Sequence, residues 1–268
     1  MTGPAFNFVR DDLGRSVKLP ETVGRVISLA PSLTESIYAV GAGDKLVGVT
    51  TYCNYPEAAR SKEKIGDTQT PNIERIVALK PDVVFVSTAS QLEAFMQTLD
   101  QQGIAVYVMD AKSIGEVIDD LRTLGSLLGS EDLANQFASV LTGRVAKIEA
   151  LSSAKPKSRA FIQISNEPLF TIGRDSFLTE VVAKAGGESV TNDVPSGYPK
   201  LSKETATAMS PDVIILSDSE DNREPNVVFK SSPAVKNGRV YRIDADIISR
   251  PGPRLVDALE QIAGFLHS

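Results

Sequence analysis

Short apolar runs alternate along the chain with segments in which apolar residues recur at helical spacing. The runs are apolar at consecutive positions, which is typical of strands buried on both faces of a sheet. Strands are predicted at Arg25–Ala30, Leu46–Thr50, Val83–Ser87, Ala105–Met109, Ala160–Ser165, Val213–Ser217 and Val240–Ile243. Helices are predicted from Ser32 to Gly41, Asn72 to Leu79, Gln91 to Gln102, Val117 to Leu128, Ser176 to Ala185, Lys203 to Met209 and Leu255 to Leu266. This alternation predicts an α/β fold built on parallel sheets.

Polar residues indicate where some of these helices begin. Pro31 is expected to end the first strand, and Ser32 with Glu35 has the spacing of a capping box that opens the next helix. Asn72 is predicted to cap the short helix that ends at Leu79.

The chain contains an internal repeat. The block Glu74–Ser87 aligns with Glu204–Ser217 at a constant offset of 130 residues, and Glu, Ala, Pro, Asp, Val and Ser coincide. A second match follows, in which the pattern Val-Tyr-x-x-Asp-Ala of Val106–Ala111 returns at Val240–Ala245. We interpret the repeat as two Rossmann-like lobes of the same topology, each with a mostly parallel sheet.

A long helix is predicted between the lobes. Ser130 can cap it, and Glu131 and Asp132 suit its first turn. Its apolar positions at helical spacing are Leu133, Phe137, Val140, Leu141, Val145, Ile148 and Leu151. The predicted organisation is an N-terminal α/β lobe at 1–129, a connecting helix at 130–154 and a C-terminal α/β lobe at 155–268. Because a helix of this length is a rigid connection of about 35 Å, we expect a nearly preformed cleft with small hinge motion.

The composition excludes several classes of function. Hydrophobic residues make up 42% of the 268 residues and charged residues 23%, a balance typical of a globular protein. The 34 acidic residues outnumber the 28 Lys and Arg, and the net charge of −6 argues against nucleic acid or an anionic membrane as the main partner. One histidine, His267, and one cysteine, Cys53, exclude a His-rich metal site, an ordinary His-based triad and an internal disulfide. Cys53 is expected to be a small buried residue.

The sequence shows neither the pattern of a membrane-spanning helix nor that of a signal peptide. No apolar run approaches the roughly 18 residues of a membrane-spanning helix. The chain opens Met1-Thr2-Gly3-Pro4, without the charged and apolar regions of a signal peptide. We therefore expect either a cytoplasmic protein or an exported protein whose leader is missing from this sequence.

The loops that follow the strands are expected to form one ligand cleft, since ligands of parallel α/β sheets bind beyond the carboxyl ends of the strands. These loops are Ala30–Ser32, Thr50–Pro56, Asp67–Thr70, Ser87–Gln91, Asn166–Asp175, Pro195–Pro199, Ser217–Asp221 and Asp246–Pro253. They contain Tyr52, Tyr55, Phe170, Tyr198 and Arg250. Aromatic rings with a few hydroxyls and one guanidinium suit a medium-sized organic ligand with polar edges. The alternative is that these aromatic residues pack the bases of the loops.

Four segments carry a resemblance to a known family. They are Arg25–Glu35, Leu46–Pro56, Ile73–Val83 and Arg250–Leu259, and the block Ile-Glu-Arg-Ile-Val-Ala-Leu-Lys-Pro-Asp is quite specific. From about Val17 onward the chain resembles the class III substrate-binding proteins of ABC importers, which are receptors for cobalamin, iron-siderophores and haem. It is most similar to the cobalamin (vitamin B12)-binding proteins among them.

The resemblance implies a fold, a location and partners. It implies two α/β lobes with a backbone helix and binding without catalysis, in a monomer that is periplasmic or lipid-anchored. The partners would be a small metal-chelate ligand such as cobalamin and an ABC permease dimer, with no nucleic acid and no resident cofactor or metal. The implied ligand-binding residues are Ser32, Tyr52, Tyr55, Asp67, Thr68, Ser87, Phe170, Tyr198 and Arg250.

Glu74 and Glu204 occupy the same position of the repeat, the second helical residue after Asn72 and Ser202. A carboxylate there stabilises a helix through its dipole by about 0.3–1 kcal/mol, which is sufficient reason for one glutamate. Two glutamates at matching positions would also form a pair of anionic contacts for arginine pockets on a two-fold transporter. In the cobalamin-binding family the glutamates at these positions dock on arginines of the permease dimer, so the resemblance implies docking for Glu74 and Glu204.

The sequence does not decide which metal chelate is the ligand. Cobalamin-binding proteins typically line their cleft with tryptophans, and this chain contains none. Thr68, Ser87 and Tyr198 stand where the family places tryptophan, whereas Tyr52 and Phe170 match aromatic pocket positions. Either the pocket recognises the corrin by other contacts, or the ligand differs.

An iron-siderophore or haem is the alternative ligand. Arg250 could pair with a propionate, phosphate or carboxylate of the ligand, or it could form a salt bridge at the entry of the last helix. Haem would need Tyr52 or Tyr198 as its axial ligand, because His267 lies next to the C-terminus.

A Rossmann-type enzyme and a cytoplasmic metal-chelate carrier are the alternatives from other classes. The glycines at 41, 43 and 48 follow a helix rather than opening one, and their spacing departs from the dinucleotide fingerprint. The carboxylate pairs Asp119-Asp120 and Glu220-Asp221 are interpreted as solvated charges. No catalytic residue is expected.

Overall fold

Two separate sheets form the framework of the protein. The computed structural model describes residues 6–87 and 92–268, without the side chains of residues 92–94. The strands within these residues are β1 Phe6–Arg10, β2 Ser16–Pro20, β3 Val26–Ser28, β4 Leu46–Val49, β5 Val83–Val86, β6 Ala105–Val108, β7 Ser158–Ser165, β8 Phe170–Thr171, β9 Gly187–Ser189, β10 Val213–Asp218 and β11 Val240–Asp244. The predicted loop to Gln91, the predicted helix start at Gln91 and the opening Met1-Thr2-Gly3-Pro4 lie outside the described residues.

The helices cover the strands in the order that the alternation predicts. Those within residues 6–87 and 92–268 are α1 Pro31–Ala39, α2 Ile73–Leu79, α3 Leu92–Gln101, α4 Ile114–Leu128, α5 Glu131–Ser153, α6 Phe177–Lys184, α7 Lys203–Met209, α8 Pro233–Lys236, α9 Ala245–Ile248 and α10 Leu255–Leu266. Short 3-10 helices add Gly43–Lys45, Glu57–Ser61 and Val227–Phe229.

The first sheet has four parallel strands in the order β4-β3-β5-β6. Every residue of β5 is fully buried, as expected for a strand that helices cover on both faces. A core that includes Ile27, Leu29, Ile76 and Leu99 joins this sheet to its helices. The antiparallel hairpin β1-β2 precedes the sheet and was not predicted.

The second sheet repeats the topology of the first. Its parallel strands run in the order β9-β7-β10-β11, and β8 pairs antiparallel with β7. Its core includes Phe161 and Phe229, whose ring centroids lie 4.5 Å apart. Strands β7, β9, β10 and β11 take the places of β3, β4, β5 and β6, which confirms the predicted fold class.

Contacts divide the chain into two compact units. The first unit contains the residues up to Ala111 together with Glu116–Val140, and the second contains Lys112–Gly115 and Leu141–Ser268. The division therefore falls inside α5, whose first part belongs to one unit and whose second part belongs to the other. The boundaries 1–129, 130–154 and 155–268 remain predictions.

Two predicted helix caps are wrong. Helix α1 begins at Pro31, which suits the first helical position, so Ser32 lies inside the first turn and Ala30 is the N-cap without a side-chain hydrogen bond. The Ser130 Oγ atom is buried and makes no hydrogen bond to any described residue. Instead, the Ser130 N–H donates to the Gly125 carbonyl at 2.8 Å and closes the turn from α4.

Helix α5 buries only some of the large apolar residues that were expected to face the core, and it buries small residues beside them. Ala134 and Ala138 are fully buried, whereas Leu133, Val140 and Leu151 are 49%, 59% and 57% exposed. The cause is a close approach of helices, since a side chain at Gly125 of α4 would collide with Ala134. The apolar periodicity of α5 therefore indicated its buried face at Leu141 and Val145, which are 1% and 8% exposed, but not in its first part.

An ion-pair network joins the second part of α5 to α10. The Nε of Arg144 donates to Glu260 Oε1 at 2.9 Å, and its Nη2 donates to Glu260 Oε2 at 2.8 Å and Asp257 Oδ1 at 2.6 Å. The hydrogen bonds from Arg144 hold the pKa of Glu260 below its ordinary value. A bidentate pair of this kind is stronger than an ordinary surface ion pair.

We predict that Arg144→Met, which keeps the apolar stem, lowers the free energy of unfolding by about 1 kcal/mol. Urea unfolding of the wild type, Arg144→Met, Glu260→Gln and the double variant measures the coupling between the two side chains. Strictly additive effects of the two substitutions would contradict the assignment of this stability to the pair.

Candidate functional site

The loop that follows β4 presents two tyrosines on either side of a buried anchor. Tyr52 is 60% exposed and Tyr55 is 48% exposed. Cys53 between them is 2% exposed, and its Sγ lies 3.1 Å from the hydroxyls of both Thr34 and Thr50. The prediction of a small buried cysteine is confirmed. Because the anchor fixes the middle of the loop, the two exposed rings stand on a well-defined backbone.

A second loop of the first unit lies beside the tyrosine loop. The Thr51 N–H donates to the Gly66 carbonyl at 2.9 Å, which brings Asp67 and the half-buried Thr68 next to it. The Asp67 carboxylate accepts hydrogen bonds from the Thr70 N–H at 2.6 Å, the Thr70 hydroxyl at 2.9 Å and a further backbone N–H. These bonds, that to the Thr70 N–H above all, hold the pKa of Asp67 below its ordinary value. Asp67 is therefore ionised, and its oxygens shape the turn.

The two serine candidates of the first unit offer less surface. Ser32 is 6% exposed in the first turn of α1. Ser87 is half-buried and follows β5 directly. Among the first-unit candidates, Tyr52 and Tyr55 therefore present the largest area to a solute.

In the second unit the backbone brings the segments of Phe170 and Tyr198 together. Phe170 of β8 pairs with Lys200 in an isolated antiparallel bridge, and the Thr171 N–H donates to the Pro199 carbonyl at 3.1 Å. Phe170 is half-buried and Tyr198 is 44% exposed. Neighbouring atoms desolvate the phenol and raise the pKa of Tyr198, which a hydrogen bond with Ser176 partly opposes. Tyr198 is therefore neutral near pH 7.

Arg250 is held by a carboxylate one helical turn away. Its Nη2 lies 2.6 Å from Asp246 Oδ1, and the Arg250 side chain is 11% exposed. Arg250 therefore forms a salt bridge near the entry of the last helix, which is the alternative role that the sequence analysis gave for it. A contact between Arg250 and a ligand anion stays a prediction.

Sequence reasoning missed a buried amide network that fixes the loop after β10. Asn222 is 1% exposed, and its Nδ2 donates to the carbonyls of Gln163 and Ser217 at 2.9 Å each. The fully buried Gln163 donates to Asn222 Oδ1 at 2.6 Å and accepts from the Asn226 N–H at 2.8 Å. Satisfied networks of this kind make a loop rigid. The available signal was one glutamine inside the apolar strand β7.

Helices α2 and α7 carry Glu74 and Glu204, each as the second residue of its helix. Asn72 caps α2 as predicted, and Ser202 caps α7; their side chains accept the N–H three residues later at 2.9 and 3.1 Å. Both glutamates are exposed. The pKa of Glu204 is lowered, first by a hydrogen bond from its own backbone N–H and then by the Ser202 hydroxyl.

One of the carboxylate pairs differs from its interpretation as solvated. Asp119 is exposed and accepts a 2.6 Å hydrogen bond from Arg122, but Asp120 is half-buried. It borders the face on which α4 buries Val117 and Leu121. Burial there, and next the repulsion from Asp12 and other acidic side chains, raises the pKa of Asp120 to about 8. Glu220 and Asp221 are exposed, as predicted.

Residues 6–87 and 92–268 contain neither a metal-ligating cluster nor a helix that could span a membrane. No three His, Cys, Asp or Glu side chains of this part of the chain are grouped so that they could hold a metal ion. The Nε2 of His267 lies 3.0 Å from the Ala185 carbonyl. None of the described helices combines the length and the apolar character needed to cross a bilayer.

Two units of one topology, with exposed aromatic rings on loops at the carboxyl ends of parallel strands, have the architecture of a solute-binding protein. Residues 26–247 match the family model of the periplasmic binding proteins, and the chain belongs to this family. The predicted family is thereby confirmed.

The chain is similar in sequence and structure to several substrate-binding proteins of this family. The chain is 32% identical over 248 residues to the vitamin B12-binding protein of Vibrio vulnificus (strain CMCP6), covering 92% of this chain and 91% of that protein. It is 31% identical over 269 residues to the uncharacterized ABC transporter substrate-binding lipoprotein YvrC of Bacillus subtilis, covering 97% and 85%. The crystal structure of the periplasmic vitamin B12 binding protein BtuF of Vibrio cholerae matches with a TM-score of 0.79 and 31% identity, covering 91% of this chain and 96% of that one. The individual solute-contacting residues stay predictions.

Proposed function

We propose that the protein is the extracytoplasmic solute-binding component of an ABC importer and that its solute is cobalamin or a related corrinoid. The observation that carries this proposal is an identity of 31–32% over 91–92% of the chain with two vitamin B12-binding proteins. The lipoprotein relative, which is an ABC transporter substrate-binding protein, supports a location in the periplasm or at a lipid anchor. The protein binds and delivers its solute without chemistry.

The aromatic loop residues supply the main solute contacts in this proposal. A corrin has a large apolar ring face with amide groups at its edges, so it needs flat apolar partners that also carry hydrogen-bonding groups. Tyr52 and Tyr55 of the first unit and Tyr198 of the second meet both parts of this requirement and are exposed. Phe170 of the second unit is half-buried and supplies an apolar ring face only.

Equilibrium dialysis against cyanocobalamin tests the proposed solute. The visible absorbance of the corrin reports the bound amount, since the protein itself does not absorb there. We expect saturable binding of one cyanocobalamin per chain. Failure to bind any corrinoid, together with saturable binding of haem or a ferric siderophore, would reject the corrinoid assignment.

We predict that Tyr52→Ala and Phe170→Ala each weaken cobalamin binding by about 10- to 100-fold, because each removes a large apolar contact. The matched control is Phe8→Ala, since Phe8 is 70% exposed on β1 and lies outside the candidate loops. Thermal unfolding should change little in all three variants. Equal affinity losses in the control and the two site variants would refute the assignment of these contacts.

Haem or a ferric siderophore is the second candidate solute. The observation that favours it is the lack of tryptophan in all 268 residues, together with the exposed loop tyrosines Tyr52, Tyr55 and Tyr198. Haem would take Tyr52 or Tyr198 as its axial ligand. The same dialysis with haem in place of cyanocobalamin separates the two candidates.

Glu74 and Glu204 are the docking residues in this proposal. Each is an exposed carboxylate at the start of a short helix, and the two stand at equivalent positions of the repeated topology. Arginines of a permease dimer can bind such carboxylates in bidentate fashion, which gives both affinity and register.

A further inference from the structure

The two helices that carry the docking glutamates are short. Helices α2 and α7 contain seven residues each, which is too short for a stable isolated helix. Each has one buried residue, Ile76 in α2 and Ala206 in α7, among the described residues. Partly buried residues also pack against the cores, namely Ile73, Val77 and Leu79 of α2 and Met209 of α7, and contacts at the ends of the helices add to this packing in setting their direction.

The C-terminal ends of both helices are held by an arginine from the sheet. Arg25, directly before β3, donates from Nη2 to the Leu79 carbonyl at 2.6 Å and from Nε to the Lys80 carbonyl at 3.2 Å. Arg159 of β7 donates from Nη2 to the Met209 carbonyl at 2.9 Å and from Nη1 to the Ser210 carbonyl at 3.3 Å. In each unit the arginine therefore binds the last carbonyl of the helix and the next one.

The backbone beyond each helix follows the same plan. Lys80 and Ser210 adopt left-handed conformations, with φ of 47° and 46°, although neither is glycine. Asp82 and Asp212 follow two residues later, and each carboxylate accepts the backbone N–H of the arginine, at 2.8 and 3.0 Å. Non-glycine residues hold this conformation only where their surroundings determine it. The arginine and the aspartate are those surroundings.

We infer that Arg25 and Arg159 are positioning residues for permease docking, an inference that rests on the proposed function of Glu74 and Glu204. Each arginine fixes the far end of a helix whose first turn carries the docking glutamate. Glu74 and Leu79 are five residues apart, or about 7.5 Å along the helix, so a tilt at the carbonyl end displaces the carboxylate. Bidentate recognition by arginine does not tolerate such a displacement well.

The recurrence of the arrangement supports a role beyond the fold of one unit. Some positions of the two helices and their turns differ, as Ile76 against Ala206 and Lys80 against Ser210 show. The two units nevertheless share the glutamate, the arginine contacts and the aspartate, together with one alanine and the proline that precedes the aspartate. A symmetric partner that must meet two equivalent carboxylates is a sufficient reason for holding both helices in the same way.

A double-mutant cycle against the glutamates tests the inference. The affinity of the solute-loaded protein for its permease–ATPase complex in lipid nanodiscs is measured for Arg25→Ala/Arg159→Ala, Glu74→Gln/Glu204→Gln and the combination. We expect the arginine variant to bind the permease about tenfold more weakly, with solute affinity within about twofold of the wild type. In the glutamine background the same arginine substitutions should add less than about twofold.

Several outcomes would overturn the inference. An arginine variant that docks like the wild type, or one whose loss is equally large in the glutamine background, shows that the arginines do not act through the glutamates. If the glutamine variant alone docks normally, the docking assignment of the proposed function fails, and this result is visible before any arginine is changed. Arg25→Lys/Arg159→Lys keeps a hydrogen-bond donor at each position and should recover part of the affinity for the permease. If the alanine variant does not fold, the lysine variant replaces it in the cycle. Arg122→Ala, on α4, is the control for loss of a surface arginine.

Discussion

Replacing both Glu74 and Glu204 by arginine is expected to abolish solute uptake while the affinity for the solute stays within about twofold. Both side chains are exposed, and hydrogen bonds lower the pKa of Glu204, so this carboxylate is ionised at pH 7. Charge reversal replaces two attractive contacts by repulsion at arginine pockets. Since loss of one partner of a close charge pair costs about 2–5 kcal/mol, the double variant should transport at least about 100-fold more slowly.

The measurement is uptake of cyanocobalamin into proteoliposomes that contain the permease, next to equilibrium dialysis of the same variants. Glu21→Arg/Glu188→Arg is the matched control, because it changes the net charge equally and also alters one exposed glutamate in each unit. Normal uptake by the Glu74→Arg/Glu204→Arg variant would exclude the docking role. A parallel loss of solute affinity would indicate that the substitutions disturb the binding loops instead.

The main strands could be predicted because a strand that is buried on both faces has apolar residues at consecutive positions. Val83–Val86 and Val213–Leu216 are apolar at consecutive positions, and both stretches are fully buried in their sheets. The internal repeat predicted the same order of strands and helices in both lobes. Fold class and element order therefore followed from the sequence.

The shortest strands could not be predicted, because they depend on pairing rather than on local pattern. Strand β9 consists of Gly187, Glu188 and Ser189, and it exists because these residues align with Ser158–Ala160 of β7. Strand β8 has two residues, too few for any periodicity. Part of the buried face of α5 was missed for a related reason, since a tight helix contact selects Ala134 over larger apolar residues, whereas Leu141 and Val145 are buried as predicted.

The candidate site was predictable where a residue's role is local. Glu74 and Glu204 followed from helix starts that the repeat places in register. Arg25 and Arg159 did not, since their bonds reach over 50 residues along the chain and their offset of 134 differs from the 130 of the helices. The role of Asp120 was also out of reach, because the pattern of α4 does not show which acidic groups gather around it.

The stability of the wild type is expected to fall as the pH rises from about 5 to 8, and Asp120→Asn should remove most of this dependence. Burial, followed by repulsion from Asp12, Glu116, Asp119 and Asp110, raises the pKa of Asp120 from 3.8 to about 8. A carboxyl whose pKa is raised on folding stabilises the protein fully below its unfolded pKa and loses that contribution as the pH rises through the folded pKa. In that window the free energy of unfolding should decrease by at most about 1.4 kcal/mol per pH unit from this group, and by less where solvent screens the half-buried carboxyl.

Thermal unfolding at a series of pH values measures this effect. At pH 9 Asp120 is ionised in both states, so the asparagine variant should be more stable than the wild type by on the order of 3 kcal/mol, or roughly 6–12 °C in Tm. Asp119→Asn is the control, since Asp119 is exposed on the same helix and pairs with Arg122. Parallel pH profiles for the wild type and Asp120→Asn would show that this carboxyl titrates normally. If the free energy of unfolding becomes independent of pH in Asp120→Asn but not in Asp119→Asn, the loss of stability at alkaline pH comes from Asp120 and the acidic side chains around it. These residues belong to the first unit and lie outside the loops proposed to bind the solute.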